Sequence, residues 1–306
     1  MFERISRGWR ITKQSFRLIG HDPELLAFPA LAAVLGTVGV VLVTASFGGA
    51  IYTFAPELLS EVGEQTGGEP STMMTLVGIL YLFAVSFVGA LTTIFANFAI
   101  LNTMRVRLGG GDATFADSVH AANQRLGHIT KWALVVTSLG VMLHIIESAC
   151  ERLGGIGSLV LRGLTALMGG AWGVVSFMVV PAMVFDGVGP KEGLSRSFEA
   201  LKRSWGEGLS AHVSIGFVGF MAVIPFVVML GVGGMSLVTA METGTSPLFG
   251  AGIMCLATVY MIVVSLILSV ARVLFAGALY RFATTGDIGD DYDDDLVRGA
   301  FTPTAP

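Results

Sequence analysis

Six long apolar runs constrain this chain more than any other feature of its sequence. Each run approaches or exceeds the roughly 20 residues that a helix needs to cross a hydrocarbon layer about 30 Å thick, and none alternates like a barrel strand. Only 13% of the residues are charged, whereas soluble domains carry about 25%. The sequence therefore predicts an all-α, polytopic bundle of six transmembrane helices. The spans are expected at about 25–53, 75–101, 129–147, 163–185, 209–239 and 250–280.

Lys and Arg predict the orientation of these spans, because short loops rich in these residues stay on the cytoplasmic side. The three loops on the opposite side of the membrane, after the first, third and fifth spans, hold only Arg152 and Arg162. Both termini and the remaining loops are therefore expected in the cytoplasm. The basic residues of that side are Arg4, Arg7, Arg10, Lys13, Arg17, Arg105, Arg107, Arg125, Lys131, Lys191, Arg196, Lys202, Arg203, Arg281 and Arg298.

The spans and the segments between them are expected to form one transmembrane domain, 1–286. Residues 287–306 contain six aspartates and one arginine, a composition typical of a disordered acidic tail. The tail does not fit a calcium loop, because Leu296 stands where glycine should follow and no glutamate closes the loop. No face is basic enough to indicate nucleic acid as a partner.

Three amphipathic segments predict an internal repeat. They lie at about 2–20, 113–127 and 190–206, and each has residues spaced i, i+4, i+7 and i+11, which form one stripe of a helix. The stripes of the second and third segments are apolar throughout, whereas Thr12 breaks the first. Such helices lie in the headgroup region with the apolar face toward lipid. The alternative is that they are ordinary basic loops. The stripes are Ile5, Trp9, Thr12 and Phe16; Phe115, Val119, Ala122 and Leu126; and Leu194, Phe198, Leu201 and Trp205.

The repeat unit is then an interfacial helix followed by two spans, used three times in parallel. The second and third copies also share Ser118 with Ser197 and Ala121 with Ala200, at an offset of 79 residues. Aromatic residues are typical anchors at a membrane interface, and membrane lipids are therefore the expected partners. The predicted anchors are Trp9, Phe16, Phe198 and Trp205.

The chain contains several short motifs: Arg7-Gly8-Trp9-Arg10, Ser15-Phe16, Asp22-Pro23-Glu24-Leu25-Leu26, Val180-Pro181, Phe185-Asp186-Gly187 and Ser195-Arg196-Ser197. With these motifs the chain resembles an uncharacterised prokaryotic family of polytopic membrane proteins. The resemblance covers most of the chain and implies a cytoplasmic (inner) membrane location, but no activity. The repeat is also distantly similar in architecture to the membrane region of glycerophosphodiester phosphodiesterases, whose catalytic barrel is missing here.

Few residues are candidates for chemistry. His144, Glu147 and Glu151 share one face near the end of the third span and are weak candidates for metal binding; a helix end that meets water explains them as well. No catalytic or cofactor-binding motif occurs, so neither an enzyme nor a cofactor is predicted.

Four polar residues near the cytoplasmic ends of spans are candidates for an ion pair or a cavity. Arg272 lies about nine residues before Arg281, and Asp186 is its candidate ion-pair partner. Asn97 and Asn102 are placed to hydrogen-bond across helices, or to line a cavity with Arg272 and Asp186.

Two functions remain open from the sequence. A lipid-interacting structural or accessory protein is favoured by the amphipathic segments, and a transporter or channel is the alternative. Gly169 and Gly173 indicate close helix packing, within the chain or in a homo-oligomer. Pro181 and Pro225 are expected to kink their spans.

Overall fold

The computed structural model describes residues 23–58, 71–153, 155–204, 208–243 and 246–285. Within these ranges every regular element is helical, and no strand occurs. Where the chain is described, the 3₁₀ helix Pro23–Leu26 leads into a series of α-helices. These are α1 Ala27–Phe54, α2 Thr72–Leu108, α3 Phe115–Gln124, α4 Leu126–Leu153, α5 Gly155–Ser176, α6 Val179–Phe185, α7 Pro190–Ser204, α8 Gly208–Thr243 and α9 Leu248–Thr285.

Six stretches of the described helices are long and apolar enough to cross a membrane. They overlap the six spans predicted from sequence, which confirms the prediction of an all-helical multi-pass membrane protein. The stretches are Glu24–Phe54, Thr72–Leu108, Leu126–Cys150, Val160–Phe185, Gly219–Thr243 and Leu248–Thr285.

Three helices are much longer than the membrane is thick. The helices α2, α8 and α9 have 37, 36 and 38 residues, which corresponds to about 55 Å of helix at 1.5 Å per residue. Fitting them wholly inside about 30 Å of hydrocarbon would need a tilt of about 55°, beyond the usual range of 0–40°. Each of the three helices therefore continues past the hydrocarbon layer.

Burial is concentrated at one end of α2 and of α9. In α2 every buried residue lies between Ile94 and Met104, and in α9 residues 270–280 are buried with the exception of Arg272. The opposite ends carry large exposed apolar side chains such as Leu80 and Phe249. Such an apolar surface is stable in lipid but not in water. The two helices therefore pair a lipid-exposed half with a half buried in protein.

Proline interrupts the fourth span, whereas the fifth span continues through its proline. Helix α5 ends at Ser176 and α6 begins at Val179, so the fourth span is interrupted four residues before Pro181. A proline ring clashes with the carbonyl group four residues earlier in a helix, and proline has no N–H to donate to that carbonyl. Helix α8 continues through Pro225, and the Tyr260 hydroxyl donates a hydrogen bond to the Ala222 carbonyl nearby, at 3.0 Å.

The chain forms two compact units by its internal contacts. One of them comprises Ala30–Thr103 and Ala113–Phe198. In its first span pair, Gly39 approaches Val88 so closely that a Cβ at Gly39 would lie 2.5 Å from the valine side chain. The second pair, α4 and α5, is joined by Trp132 and Trp172, whose ring centroids are 5.8 Å apart. Small and aromatic residues thus set the spacing of both pairs.

The other unit contains the 3₁₀ helix, α8 and α9. The 3₁₀ helix packs against α9, and α8 packs along α9 as the third span pair. Gly233 and Gly250 face each other, since a Cβ at Gly250 would lie 2.8 Å from the Gly233 carbonyl oxygen and 3.0 Å from the Leu237 nitrogen. These neighbours are backbone atoms, which cannot rotate away. The approach of α8 to α9 therefore requires glycine at position 250.

We predict that Gly250→Ala destabilises the α8–α9 pair, whereas Gly252→Ala does not. The methyl group at position 250 forces the two backbones apart, at a cost of about 1–3 kcal/mol for overpacking. Position 252 lies on the same helix and has no neighbour within 4 Å of a Cβ. Thermal unfolding of both variants in the same detergent measures the difference. Equal midpoints would contradict the packing described here.

Candidate membrane-interface site

The short helix α3 has a well-formed N-terminus. The Thr114 side chain accepts a hydrogen bond from the Asp117 backbone N–H, and the Asp117 carboxylate accepts one from the Thr114 backbone N–H. The Thr114 hydroxyl also donates to the carboxylate, at 2.6 Å, and this bond lowers the pKa of Asp117. This capping box satisfies free N–H groups of the first turn and fixes where α3 begins.

Ser118 attaches α3 to the end of α2. The serine is fully buried, and its hydroxyl oxygen lies 2.7 Å from the Thr103 hydroxyl oxygen. The Asn102 side chain, also buried, donates a longer hydrogen bond of 3.4 Å to the same oxygen. Three polar side chains thus satisfy one another where the long helix meets the short one. Asn102 thus bonds to a residue of a different helix.

Ser197 attaches α7 to the neighbouring helix α5. It is fully buried and its hydroxyl donates a hydrogen bond to the Val175 carbonyl of α5. Val175 lies just before the proline-induced break in the fourth span, where helix carbonyls lack their usual partners. Ser118 and Ser197 are the residues that correspond in the sequence repeat. Each therefore attaches an amphipathic helix to the span that precedes it in the sequence.

Helices α3 and α7 pack onto protein through faces made of small residues. The sequence analysis did not predict that these residues form a packing face. In α3 the buried residues are Ser118 and Ala122, and in α7 Gly193, Ser197 and Ala200 are buried. A Cβ at Gly193 would lie 3.3–3.4 Å from Met183 and Val179 of α6. The pattern shared by Ser118–Ala121 and Ser197–Ala200 is the sequence feature that could have predicted this packing face. It marks helices that approach their neighbours closely.

The large apolar stripe of α7 is a separate face. Successive residues are about 100° apart around a helix, so Phe198 lies about 100° from Ser197. The Phe198 side chain is 45% exposed, and Leu194 and Leu201 are half-buried. In α3, Phe115 and Val119 are half-buried as well. The predicted anchors Trp9, Phe16 and Trp205 lie outside the described residues.

Arg196 and Arg125 hold the loop between α6 and α7. The Arg196 guanidinium forms ion pairs with Asp186, at the end of α6, and with Glu192, at 2.6 Å. These two carboxylates raise the pKa of Arg196. Arg125 donates a hydrogen bond of 3.2 Å to the carbonyl of Gly187, whose φ of +68° favours glycine. The loop is therefore fixed from α7 and from the end of α3.

The four polar residues proposed for a cavity or an ion pair are found in different surroundings. Asp186 forms its ion pair with Arg196, a partner the sequence analysis missed although it lies only ten residues away. Asn102 is buried against Ser118, and Asn97 is half-buried within α2. Arg272 is exposed, and its guanidinium lies 3.8 Å from the position of a Cβ at Gly219 of α8.

Arg272 lies far along α9. Counted from Leu248 at 1.5 Å per residue, it is about 36 Å along the helix, a length that exceeds the thickness of a hydrocarbon layer of about 30 Å.

The weak metal candidates lie on an exposed helix surface. His144 and Glu147 are both exposed on α4, and the Glu151 side chain lies outside the described residues. Among the described residues, no group of three or more His, Cys, Asp or Glu side chains could hold a metal ion.

We predict that Ser197→Ala loosens α7, whereas Ser195→Ala leaves it unchanged. Removing the Ser197 hydroxyl leaves the Val175 carbonyl without this donor, which costs about 1 kcal/mol. Ser195 lies on the same helix and is exposed. Hydrogen exchange of residues 191–204 in lipid nanodiscs, followed by mass spectrometry, should be about fivefold faster in the first variant only. The corresponding Ser118→Ala change should act on α3. Equal exchange in the two α7 variants would show that Ser197 does not anchor the helix.

A family model matches most of the chain. The model of a family of unknown function, DUF6159, matches residues 74–290, which is more than half of the chain. No curated protein matches, and nothing supports the resemblance to glycerophosphodiester phosphodiesterases.

Proposed function

The chain belongs to the DUF6159 family of unknown function, and we propose that it is a structural or accessory membrane protein that acts through contact with lipid. The observation that carries the proposal is the two-faced character of α7. Its small residues pack onto protein, whereas Phe198 remains 45% exposed beside half-buried leucines. An exposed phenylalanine next to a membrane span is stable when lipid covers it.

The proposal includes three copies of one unit, each an interfacial helix followed by two spans. The equivalent anchoring of α3 by Ser118 and of α7 by Ser197 supports the second and third copies. The amphipathic part of the first copy lies outside the described residues. In this arrangement the interfacial helices lie on one side of the membrane, because each copy crosses it an even number of times.

We place that side in the cytoplasm of a prokaryote, with the protein in the inner membrane. The excess of Lys and Arg in the segments before the first span and after the second, fourth and sixth supports this orientation. Both termini then lie in the cytoplasm.

The contacts of the polar residues support an accessory role rather than catalysis or transport. Asp186 is engaged with Arg196, and Asn102 with Ser118. Both contacts hold helices together, and neither requires a substrate or a cofactor.

We predict that Phe198→Glu exposes α7 to solvent, whereas Glu199→Gln does not. A carboxylate cannot enter the acyl region, so the helix loses the burial of an aromatic side chain, worth roughly 1.5–3 kcal/mol when complete. Hydrogen exchange of residues 191–204 in nanodiscs of zwitterionic phosphatidylcholine should rise by about tenfold or more. Residues 270–280 serve as the control for an intact fold. Unchanged exchange of α7 in a folded Phe198→Glu variant would refute the lipid-facing role.

Orientation is tested with single cysteines in a Cys150→Ala, Cys255→Ala background. Asp112→Cys lies in the segment after α2, and Glu57→Cys lies after α1; both positions are exposed. In sealed inverted vesicles a membrane-impermeant maleimide should label the first variant and not the second, because only cytoplasmic loops face outward there. Labelling of the second variant alone would reverse the proposed topology.

A further inference from the structure

We propose that the α8–α9 pair binds a phospholipid molecule, with its phosphate group on the Arg272 guanidinium and an acyl chain along α8. The site goes beyond the lipid contact proposed for α7, because it uses none of the residues of that helix. Three features carry the inference: an arginine that pairs with no described acidic residue, a glycine that makes room for it, and an apolar surface beside both.

Arg272 is a cation on a helix pair that is nearly free of acidic residues. Among the described residues, none forms an ion pair or a hydrogen bond with its guanidinium. The sequences of α8 and α9 contain one carboxylate, Glu242, which lies about 35 Å along α8 from Gly219 at 1.5 Å per residue. An unpaired charge beside hydrocarbon is costly, so arginines of membrane spans have partners. We therefore expect the partner of Arg272 to come from outside these two helices.

Gly219 determines where the guanidinium lies. A Cβ at this position would be 3.6 Å from a methyl carbon of Leu268 and 3.8 Å from the Nη2 atom of Arg272. Leu268 precedes Arg272 by one turn of α9, so the arginine side chain runs back along the helix, in the direction that helical side chains favour. The guanidinium therefore points toward the lipid-exposed half of α9 and not toward its buried end.

The contacts between the helices show on which side of the pair Arg272 lies. Gly233 meets Gly250, and Gly219 meets Leu268, so α8 and α9 run antiparallel. In an antiparallel pair, rotation in the same sense on both helices leads to the same side. At about 100° per residue, Arg272 is about 40° round α9 from Leu268. Its guanidinium thus lies along one edge of the seam between the helices.

An apolar surface of α8 borders the same edge. In the same rotational sense, Val223, Val227 and Phe220 lie about 40°, 80° and 100° round α8 from Gly219. Val223 is half-buried, whereas Val227 is 59% and Phe220 64% exposed. From Gly219 to Val227 this surface extends about 12 Å toward the α8–α9 turn at 1.5 Å per residue. It begins where the guanidinium lies and is long enough for part of an acyl chain.

One phospholipid can occupy both parts of this site. The planar guanidinium has five N–H donors that match a phosphate group in a bidentate arrangement. An acyl chain joined to that phosphate covers the apolar side chains, whose exposure is favourable in lipid but not in water. A carboxylate of another protein would satisfy the charge alone. The combination of an unpaired guanidinium with an adjoining apolar surface therefore favours a phospholipid.

Photo-cross-linking of the full chain in a non-ionic detergent tests the site. The probe is phosphatidylglycerol with a diazirine on one acyl chain, and mass spectrometry measures labelling of residues 219–230 relative to the largely exposed α5 segment 160–168. In the wild type, unlabelled phosphatidylglycerol should compete for residues 219–230. Diacylglycerol with the same chains should not, and neither should inorganic phosphate. Arg272→Gln should reduce this labelling by about tenfold, the scale of one charge-assisted contact.

Substitutions at Gly219 provide a matched control that leaves the arginine in place. Gly219→Ala adds a Cβ at an ordinary contact distance and should keep the labelling of the wild type. Gly219→Leu fills the space beside the guanidinium and should reduce labelling as Arg272→Gln does. Arg272→Lys keeps the charge but not the planar fork and should give an intermediate yield. Hydrogen exchange of residues 273–280 checks that the fold of each variant is intact.

Three outcomes would overturn the inference. Equal labelling of the wild type and a folded Arg272→Gln variant would show that the guanidinium holds no phosphate. Competition by diacylglycerol as strong as that by phosphatidylglycerol would show the same. Competition by inorganic phosphate would identify a small-anion site instead of a lipid site. The lipid contact of α7 is tested separately by Phe198→Glu, so the failure of one proposal is distinguishable from the failure of the other.

Discussion

The absence of hydrogen-bonding groups in hydrocarbon is the constraint on which this structure depends. Within a bilayer every backbone N–H and C=O must be paired inside the protein, and a helix does this without help from neighbours. The lipid-exposed halves of α2 and α9 can therefore carry few contacts and still be stable. Packing becomes specific only where glycine or aromatic residues set the spacing, as at Gly250 and Trp132.

The same constraint explains why hydroxyl groups are placed at the ends of spans. The Pro181 break leaves carbonyls of the fourth span without helical donors, and the Ser197 hydroxyl is bonded to one such carbonyl, that of Val175. At the end of α2, Ser118 instead bonds to the side chains of Asn102 and Thr103. In both places the bond that satisfies a buried polar group also fixes the position of an amphipathic helix.

Hydrophobic length predicted the six spans, because a run of about 20 apolar residues has few alternatives to a membrane helix. The extensions of α2 and α9 beyond the hydrocarbon were not predictable. Residues buried in protein are as apolar as residues exposed to lipid, so the sequence does not change where one environment gives way to the other. The stripe of α7 was predicted from its period, but its packing face was missed because Gly193 and Ser197 are not strongly apolar. The Arg196–Asp186 contact depends on how the loop folds back, and sequence spacing does not encode that.

Two separate faces allow α7 to serve two environments at once. Had the apolar stripe packed on protein, as such stripes do in soluble helices, Phe198 would be buried. Instead the close-packed face is made of glycine, serine and alanine. At Gly193 the approach to α6 is so close that a Cβ would lie 3.3–3.4 Å from α6 side chains. The ion pair of Arg196 with Asp186 then opposes rotation about the helix axis. A helix held in this way presents the same residues to its surroundings continuously, so the lipid contact proposed for Phe198 requires no rearrangement of the fold.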